Sequence, residues 1–143
     1  MAWDELKPRA SGRGGSVDAR IYVSATRHNT RDRNQYSLCV YVDATRMKEY
    51  RLLIGDRATV LLDYEARIGM VVRRIDDGYK LCVPGKSSTY KAGTPSRGLL
   101  KSTANIEQIR RIWPSGEPYR WHTNDAYVAD DGIVFALPPI ASK

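Results

Sequence analysis

The stretch RATVLLDYEARIGMVVRR, residues 57–74, decides the fold expected of this chain. Apolar side chains recur there at every second position: Ala58, Val60 and Leu62 in the first half, then Ile68, Met70 and Val72 in the second. A period of two is typical of β-strands that bury one face. Residues 57–74 are therefore predicted to form two strands of an antiparallel meander, with both apolar sets facing the core.

The same alternation appears on both sides of this stretch. Downstream, Asp76-Asp77-Gly78 is a turn sequence whose last residue is expected at positive φ, and it leads into a strand at 79–83. Residues 21–25 and 36–42 also alternate, and two short apolar runs at 126–129 and 133–137 are separated by the turn sequence Asp130-Asp131-Gly132. These runs predict further strands.

Two short helices are expected between the strands. Residues 43–53 have Asp43 as a plausible N-cap and apolar residues at helical spacing. A second helix is predicted from Thr103, as its cap, to Trp113, with residues 84–98 forming one long loop before it. The predicted fold class is α+β and β-rich: an antiparallel meander or small barrel-like sheet with one or two short helices.

The length of 143 residues fits one domain. Residues 1–18 contain a Ser-Gly-Arg-Gly-Gly-Ser run and are expected to form a flexible basic arm before a single domain at 19–143. No apolar run reaches the roughly 20 residues that span a bilayer, and the start lacks a signal-peptide pattern, so a cytoplasmic location is expected. Cys39 and Cys82 lie in apolar runs and are expected to be small buried hydrophobes.

Charge is concentrated in one third of the chain. The net charge is +7 and the pI about 9.6, and residues 78–122 carry eight basic side chains against two acidic ones, a net +6. Aromatic residues lie among these cations, and single-stranded nucleic acid needs both, cations for phosphates and flat rings for bases. The predicted nucleic-acid contacts are Tyr79, Lys80, Lys86, Tyr90, Lys91, Arg97, Lys101, Arg110, Arg111, Tyr119, Arg120 and Trp121.

The aromatic residues within 78–122 are expected to differ in burial. Trp113 extends the apolar stripe of the second helix and is predicted to be core, whereas Tyr90, Tyr119 and Trp121 are predicted to be more exposed than Trp113. His122 has two open interpretations, a base contact or an ordinary surface residue. The alternative for the whole region is that its rings are core and its lysines ordinary surface.

Signatures of catalysis are weak. Gly85-Lys86-Ser87 resembles the end of a phosphate loop, but the required earlier glycine is replaced by Lys80. The Asp pairs at 76–77 and 130–131 are each followed by Gly, so turn formation accounts for them better than metal binding. A non-enzymatic protein without metal or other cofactor is expected.

Residues 52–60, LLIGDRATV, with the acidic turn 63–67 and the strand 68–72, resemble the swapped-hairpin AbrB/MazE group. The resemblance covers about residues 43–75 and implies a dimeric DNA-binding regulator or antitoxin. Residues 43–54 lack the proline that this group carries upstream of Gly-Asp. For this reason no DNA-contact residue is carried over.

These observations favour a single-stranded DNA-binding protein of transcription or replication, of a size compatible with a phage-encoded protein of the host cytoplasm. The alternatives are an AbrB-like duplex DNA regulator, a protein-interaction module whose partner is a polymerase or another protein, and a nuclease. Few helices are available to cover the strands, so a second copy is expected to cover the remaining face, giving a homodimer or a higher oligomer.

Overall fold

Two antiparallel sheets and two short helices make up residues 21–27, 35–83 and 97–140, which this computed structural model describes. The strands are β1 (Ile21–Arg27), β2 (Gln35–Val42), β3 (Arg57–Asp63), β4 (Ile68–Arg74), β5 (Tyr79–Lys80), β6 (Gly98–Asn105), β7 (Arg120–Thr123), β8 (Ala126–Val128) and β9 (Ile133–Ala136). The helices are α1 (Ala44–Tyr50) and α2 (Ile106–Ile112). The spatial order is β6-β2-β1-β7 in the four-stranded sheet and β5-β3-β4-β9-β8 in the five-stranded sheet.

The inner faces of the two sheets share one core. Val23 and Val40 pair across β1 and β2 and are fully buried, and Val71 and Phe135 face them from the five-stranded sheet. Burial of each such side chain contributes roughly 1.5–3 kcal/mol. The core therefore lies between the sheets, and each sheet keeps one outer face.

The two sheets meet at one edge without closing into a barrel. Beyond β5, Cys82 and Leu99 exchange backbone hydrogen bonds of 3.0 and 2.8 Å, which joins this chain segment to β6. On the far side, the Trp121 indole N–H donates to the carbonyl of Ala136 at 2.8 Å. The α+β, β-rich class predicted from the sequence is confirmed, with two open sheets.

Helix α1 begins as the sequence predicts. The Asp43 carboxylate accepts from the backbone N–H of Arg46 at 3.1 Å and pairs with its guanidinium at 2.7 Å. The helix ends earlier than expected, because Arg51 adopts the left-handed conformation at φ 59° and its N–H caps the carbonyls of Met47 and Lys48.

The predicted start of α2 is wrong. Asn105, not Thr103, is the N-cap: its side chain accepts from the Gln108 N–H at 2.9 Å, and the Gln108 side chain accepts from the Asn105 N–H at 3.0 Å. Thr103 lies in β6, paired with Ser37. Residues 98–105 form this strand because they pair along the whole of β2, which competes with local helix propensity.

The predicted core face of β4 is also wrong. Val71 and Gly69 face the core, opposite Val60 and Leu62 of β3, so the set Ile68, Met70 and Val72 lies on the outer face. Gly69 is required there, since a Cβ at this position would lie 2.6 Å from Cζ of Phe135. A large ring on β9 fills the space that a side chain of β4 would otherwise take.

Candidate nucleic-acid interface

A column of three rings crosses the outer face of the four-stranded sheet. Tyr22 of β1 pairs with Tyr41 of β2 on one side and with His122 of β7 on the other. The Tyr22 ring stacks on His122 at 4.2 Å with an interplanar angle of 22°, and lies 5.3 Å from the Tyr41 ring at 32°. We call this outer surface the ring face. The column ends on His122, which is exposed and belongs to the edge strand β7.

Cations flank the column one row further along the strands. The register places Arg120, Ser24, Cys39 and Lys101 side by side across β7, β1, β2 and β6, with Arg120 and Lys101 exposed at the two edges. Arg97 precedes β6, and its charge acts on Tyr41. The rings are therefore bordered by positive charge on both sides.

The groups at the centre of the ring face are held uncharged. Burial raises the pKa of Tyr41, helped by the neighbouring Cys39 and Tyr22 and opposed by Arg97. Burial also raises the pKa of the Cys39 thiol, opposed by Lys101. The centre of the face thus offers the uncharged Tyr41 ring and the uncharged Cys39 thiol at neutral pH.

No Asp or Glu occupies a strand position of this face within the described ranges. The outward positions are Tyr22, Ser24, Thr26, Gln35, Ser37, Cys39, Tyr41, Leu99, Lys101, Thr103, Asn105, Arg120 and His122. Hydroxyls occupy the third row, where Thr26, Ser37 and Thr103 pair across β1, β2 and β6. The described strand positions of this face therefore combine rings, cations and hydroxyls without a carboxylate, and Glu117 lines a pocket together with Thr26 beside them.

The structure gathers only some of the residues predicted from the sequence. Lys101 and Arg120 lie on the ring face, and the charge of Arg97 acts on it. Tyr79 and Lys80 instead belong to β5 of the five-stranded sheet, where Tyr79 is half-buried against the core. Lys86, Tyr90 and Lys91 lie outside the described residues.

Arg110 and Arg111 are exposed on α2, not on the ring face. The Arg111 guanidinium lies over the Tyr64 ring, 4.6 Å from its centroid. Arg67 binds the C-terminal carbonyls of this helix, at 2.7 Å from both Arg111 and Ile112. The helix is thus tied to the β3–β4 turn.

Tyr119 and Trp121 are more exposed than Trp113, as predicted, but they do not lie on the ring face. Both are half-buried and pack against the core. Trp121 occupies an inward position of β7, and the Tyr119 ring lies 5.5 Å from Trp113 and 5.9 Å from Tyr36. Trp113 itself is 5% exposed, so its prediction as core is confirmed. The alternation of β7 explains the outcome, because His122 and Arg120 point outward when Trp121 points inward.

Sequence reasoning missed Tyr22 and Tyr41 and left His122 open. Both tyrosines lie in the outward phase of strands whose inward phase is strongly apolar, which is the pattern that could have selected them. Their mutual contact depends on the pairing of β1 with β2 and β7, and pairing cannot be read from either strand alone.

The remaining candidate features behave as structural elements. Gly78 has φ 94°, which confirms the turn that follows Asp76 and Asp77, and Ala129 and Gly132 close the second Asp-containing turn through mutual backbone hydrogen bonds.

Among the described residues, no group of three or more His, Cys, Asp or Glu could hold a metal ion. Of the cysteines, Cys39 is buried as expected but Cys82 is exposed, so its prediction is wrong. No helix in the described ranges is long and apolar enough to cross a membrane.

No protein-family model, curated protein sequence or solved structure matches this chain. The β3–β4 hairpin lies where the AbrB/MazE resemblance expects two strands. Antiparallel hairpins are common to many folds, so membership of that group stays a hypothesis.

Proposed function

We propose that this chain is a non-enzymatic protein that binds single-stranded DNA on the ring face, in transcription or replication. The observation that carries the proposal is the ring column of Tyr41, Tyr22 and His122, bordered by Arg120 and Lys101. The arrangement supplies the two components of such sites, a stacking platform and a positively charged border.

The end of the column is the expected stacking position. His122 is exposed on an edge strand, so a base can add to the column as a fourth ring. Each stacked base contributes roughly 1–3 kcal/mol. A duplex keeps its bases paired and stacked inside the helix, so the column favours strands whose bases are already free.

Phosphates are expected to bind to the neighbouring row. Arg120 lies two residues from His122 on the same face of β7, about 6.6 Å along the strand. Lys101 lies across the sheet at the other border of the face. A strand stacked on His122 would run past Arg120, with Ser24 and the hydroxyl row beside it as further hydrogen-bonding groups.

The test compares ring variants in anisotropy titrations with a fluorescent single-stranded DNA oligonucleotide. His122→Ala and Tyr22→Ala are each expected to weaken binding about 5- to 150-fold, the equivalent of one lost stack. Tyr127→Ala is the matched control, because Tyr127 is an exposed ring on the other sheet, 60% accessible. It is expected to bind normally. Melting temperatures establish that all three variants fold.

Parallel titrations with duplex DNA and with RNA of the same sequence decide the ligand. Tighter binding of the single-stranded DNA is expected. A clear preference for the duplex would replace this proposal with the AbrB-like regulator. Equal losses in the His122 and Tyr127 variants, or no loss in either ring-face variant, would remove the ring column from the site.

A further inference from the structure

A pocket of about 360 Å³ opens at the end of β1, beside the hydroxyl row of the ring face. Thr26 lines it from that row, and Arg27 lines it from the last position of the strand. The other lining residues are Ala25, Tyr36, Glu117 and Tyr119. Ligand pockets in proteins span roughly 300–1,000 Å³, so this volume suits one small planar group. We call it the terminal pocket.

Two tyrosine rings form part of the wall of the terminal pocket. The ring centroids of Tyr36 and Tyr119 lie 5.9 Å apart at an interplanar angle of 81°, and the buried Trp113 ring lies 5.5 Å from Tyr119. A planar base that lies parallel to one tyrosine ring is therefore nearly perpendicular to the other, and both arrangements are favourable aromatic contacts. Tyr36 belongs to the core, so this part of the wall is preformed.

Hydrogen bonds anchor the chain segment that carries Glu117. The Tyr119 carbonyl accepts from the Ala25 N–H at 3.1 Å, just before β7 begins. The Trp113 indole N–H donates to the Arg120 carbonyl at 3.2 Å. The segment is therefore fixed to β1 and to the end of α2, which keeps Glu117 beside the last residues of β1.

The terminal pocket presents one anion and one cation. Glu117 and Arg27 are both exposed, and within the described residues neither is held in an ion pair. A carboxylate repels phosphate, so Glu117 is unsuited to contact the backbone of a strand, but it accepts hydrogen bonds from the N–H groups of a base edge. Arg27 donates to acceptors on the same edge. The pair therefore suits a base that carries donors and acceptors side by side.

We infer that the terminal pocket binds one unpaired guanine of the single strand, an inference that rests on the proposed function. Guanine has two adjacent donors on its base-pairing edge, N1–H and the N2 amino group, and these match the two oxygens of the Glu117 carboxylate. Its acceptors O6 and N7 match the fork of the Arg27 guanidinium. Cytosine and adenine offer the carboxylate one amino group each, and thymine offers one N3–H.

The terminal pocket lies within reach of a strand that is stacked on the ring column. Thr26 is four residues from Tyr22 on β1, about 13 Å along the strand at roughly 3.3 Å per residue. Arg120 lies between them, paired with Ser24. A few nucleotides therefore connect a base on His122 to a guanine in the pocket, with the intervening phosphates beside Arg120. Duplex DNA keeps the base-pairing edge occupied, so only a single strand presents it.

Anisotropy titrations with four oligothymidine strands, which carry guanine, adenine, cytosine or thymine at one central position, test the inference. The wild-type chain is expected to bind the guanine strand about 5- to 150-fold more tightly than the others, the equivalent of one bidentate base contact. Glu117→Gln is expected to abolish this preference without weakening the all-thymine strand. Glu107→Gln on α2 is the matched control, because Glu107 is exposed and does not line the pocket, and it is expected to keep the preference. Melting temperatures establish that both variants fold.

The outcomes separate this inference from the proposed function. Equal affinity of the wild-type chain for all four strands, with weaker all-thymine binding in His122→Ala, would overturn the pocket and leave the ring face as the site. A preference for another base, or a guanine preference that Glu117→Gln leaves intact, would also overturn the inference. A chain that binds none of the four strands would overturn both.

Discussion

At the scale of single residues, burial on the ring face lowers the expected reactivity of the Cys39 thiol. Its thiol lies between Ser24 and Lys101 in the row of cations, and burial raises its pKa above the ordinary value despite the lysine. A raised pKa means that less thiolate is present at a given pH, and the thiolate is the reactive form. Cys39 is therefore expected to be chemically quiet, while Cys82 is exposed.

Thiol labelling tests this difference. In Cys82→Ser only Cys39 remains, and its modification by a maleimide at pH 7–8 is expected to be much slower than that of Cys82 in Cys39→Ser. Bound single-stranded DNA should slow Cys39 further and leave Cys82 unchanged. Equal rates for the two cysteines, or protection of Cys82 alone, would contradict the assignment of the ring face. Stopped-flow absorbance or intact-mass kinetics provides the rates.

The raised pKa values of Cys39 and Tyr41 determine how alkaline pH changes the stability of the protein. Burial raises the folded-state pKa values of Cys39 and Tyr41, so the folded protein holds these protons more tightly than the unfolded chain. The associated stability is fully present below the unfolded-state pKa values. This stability is lost as the pH rises through the folded-state pKa values. Ionisation of Cys39 and Tyr41 therefore favours unfolding only in the alkaline range.

At the scale of elements, the cap of α2 can be tested directly. Asn105→Ala removes the hydrogen bond to the Gln108 N–H and is expected to lower the free energy of unfolding by about 0.5–2 kcal/mol. Thr103→Ala, at the position that the sequence favoured, is exposed on β6 and is expected to cost less, within about 0.5 kcal/mol. Urea titrations measure both. A larger loss for Thr103→Ala would restore the cap predicted from the sequence.

Strands with one strongly apolar phase could be predicted from the sequence. β1 and β2 are of this kind, since Ile21, Val23, Leu38 and Val40 all face the core. β6 could not be predicted, because its inward residues include Gly98, Ser102 and Ala104, and small or polar residues give no alternating signal. Ser102 is buried because its hydroxyl donates to the carbonyl of Leu38 at 2.9 Å, a partner supplied by another strand.

The residues of the candidate site also divide into those that could be predicted from the sequence and those that could not. Lys101 and Arg120 could be selected from the sequence, because clustered charge is a property of composition. The ring column could not, because Tyr22 and His122 are 100 residues apart and meet only through the pairing of β1 with β7. In β4 both alternating sets of residues are apolar, so the sequence does not show which set faces the core. The Phe135 ring packs over Gly69, and this places Val71 rather than Met70 in the core.

At the scale of the whole molecule, salt dependence reports how many phosphates the protein contacts. The logarithm of affinity for single strands is expected to fall with the logarithm of salt, with a slope of about −0.7 per phosphate. Lys101→Ala with Arg120→Ala should reduce that slope by about 1.4. Replacing Lys86, Lys91 and Arg97 by Ala should reduce it by about two. An unchanged slope in either set would exclude those cations from contact with the strand.

The opposite placement of the two outer faces determines the valency of an assembly. If two copies associated through the outer faces of their five-stranded sheets, the two ring columns would point away from each other, and the three spacings between four stacked sheets, roughly 10 Å each, would put about 30 Å between the two outermost sheets. One short oligonucleotide cannot occupy both columns, so the dimer gains no avidity from it. Two separate strands, or two distant segments of one long strand bent back on itself, can be held at the same time, and the protein would then act as a cross-bridge.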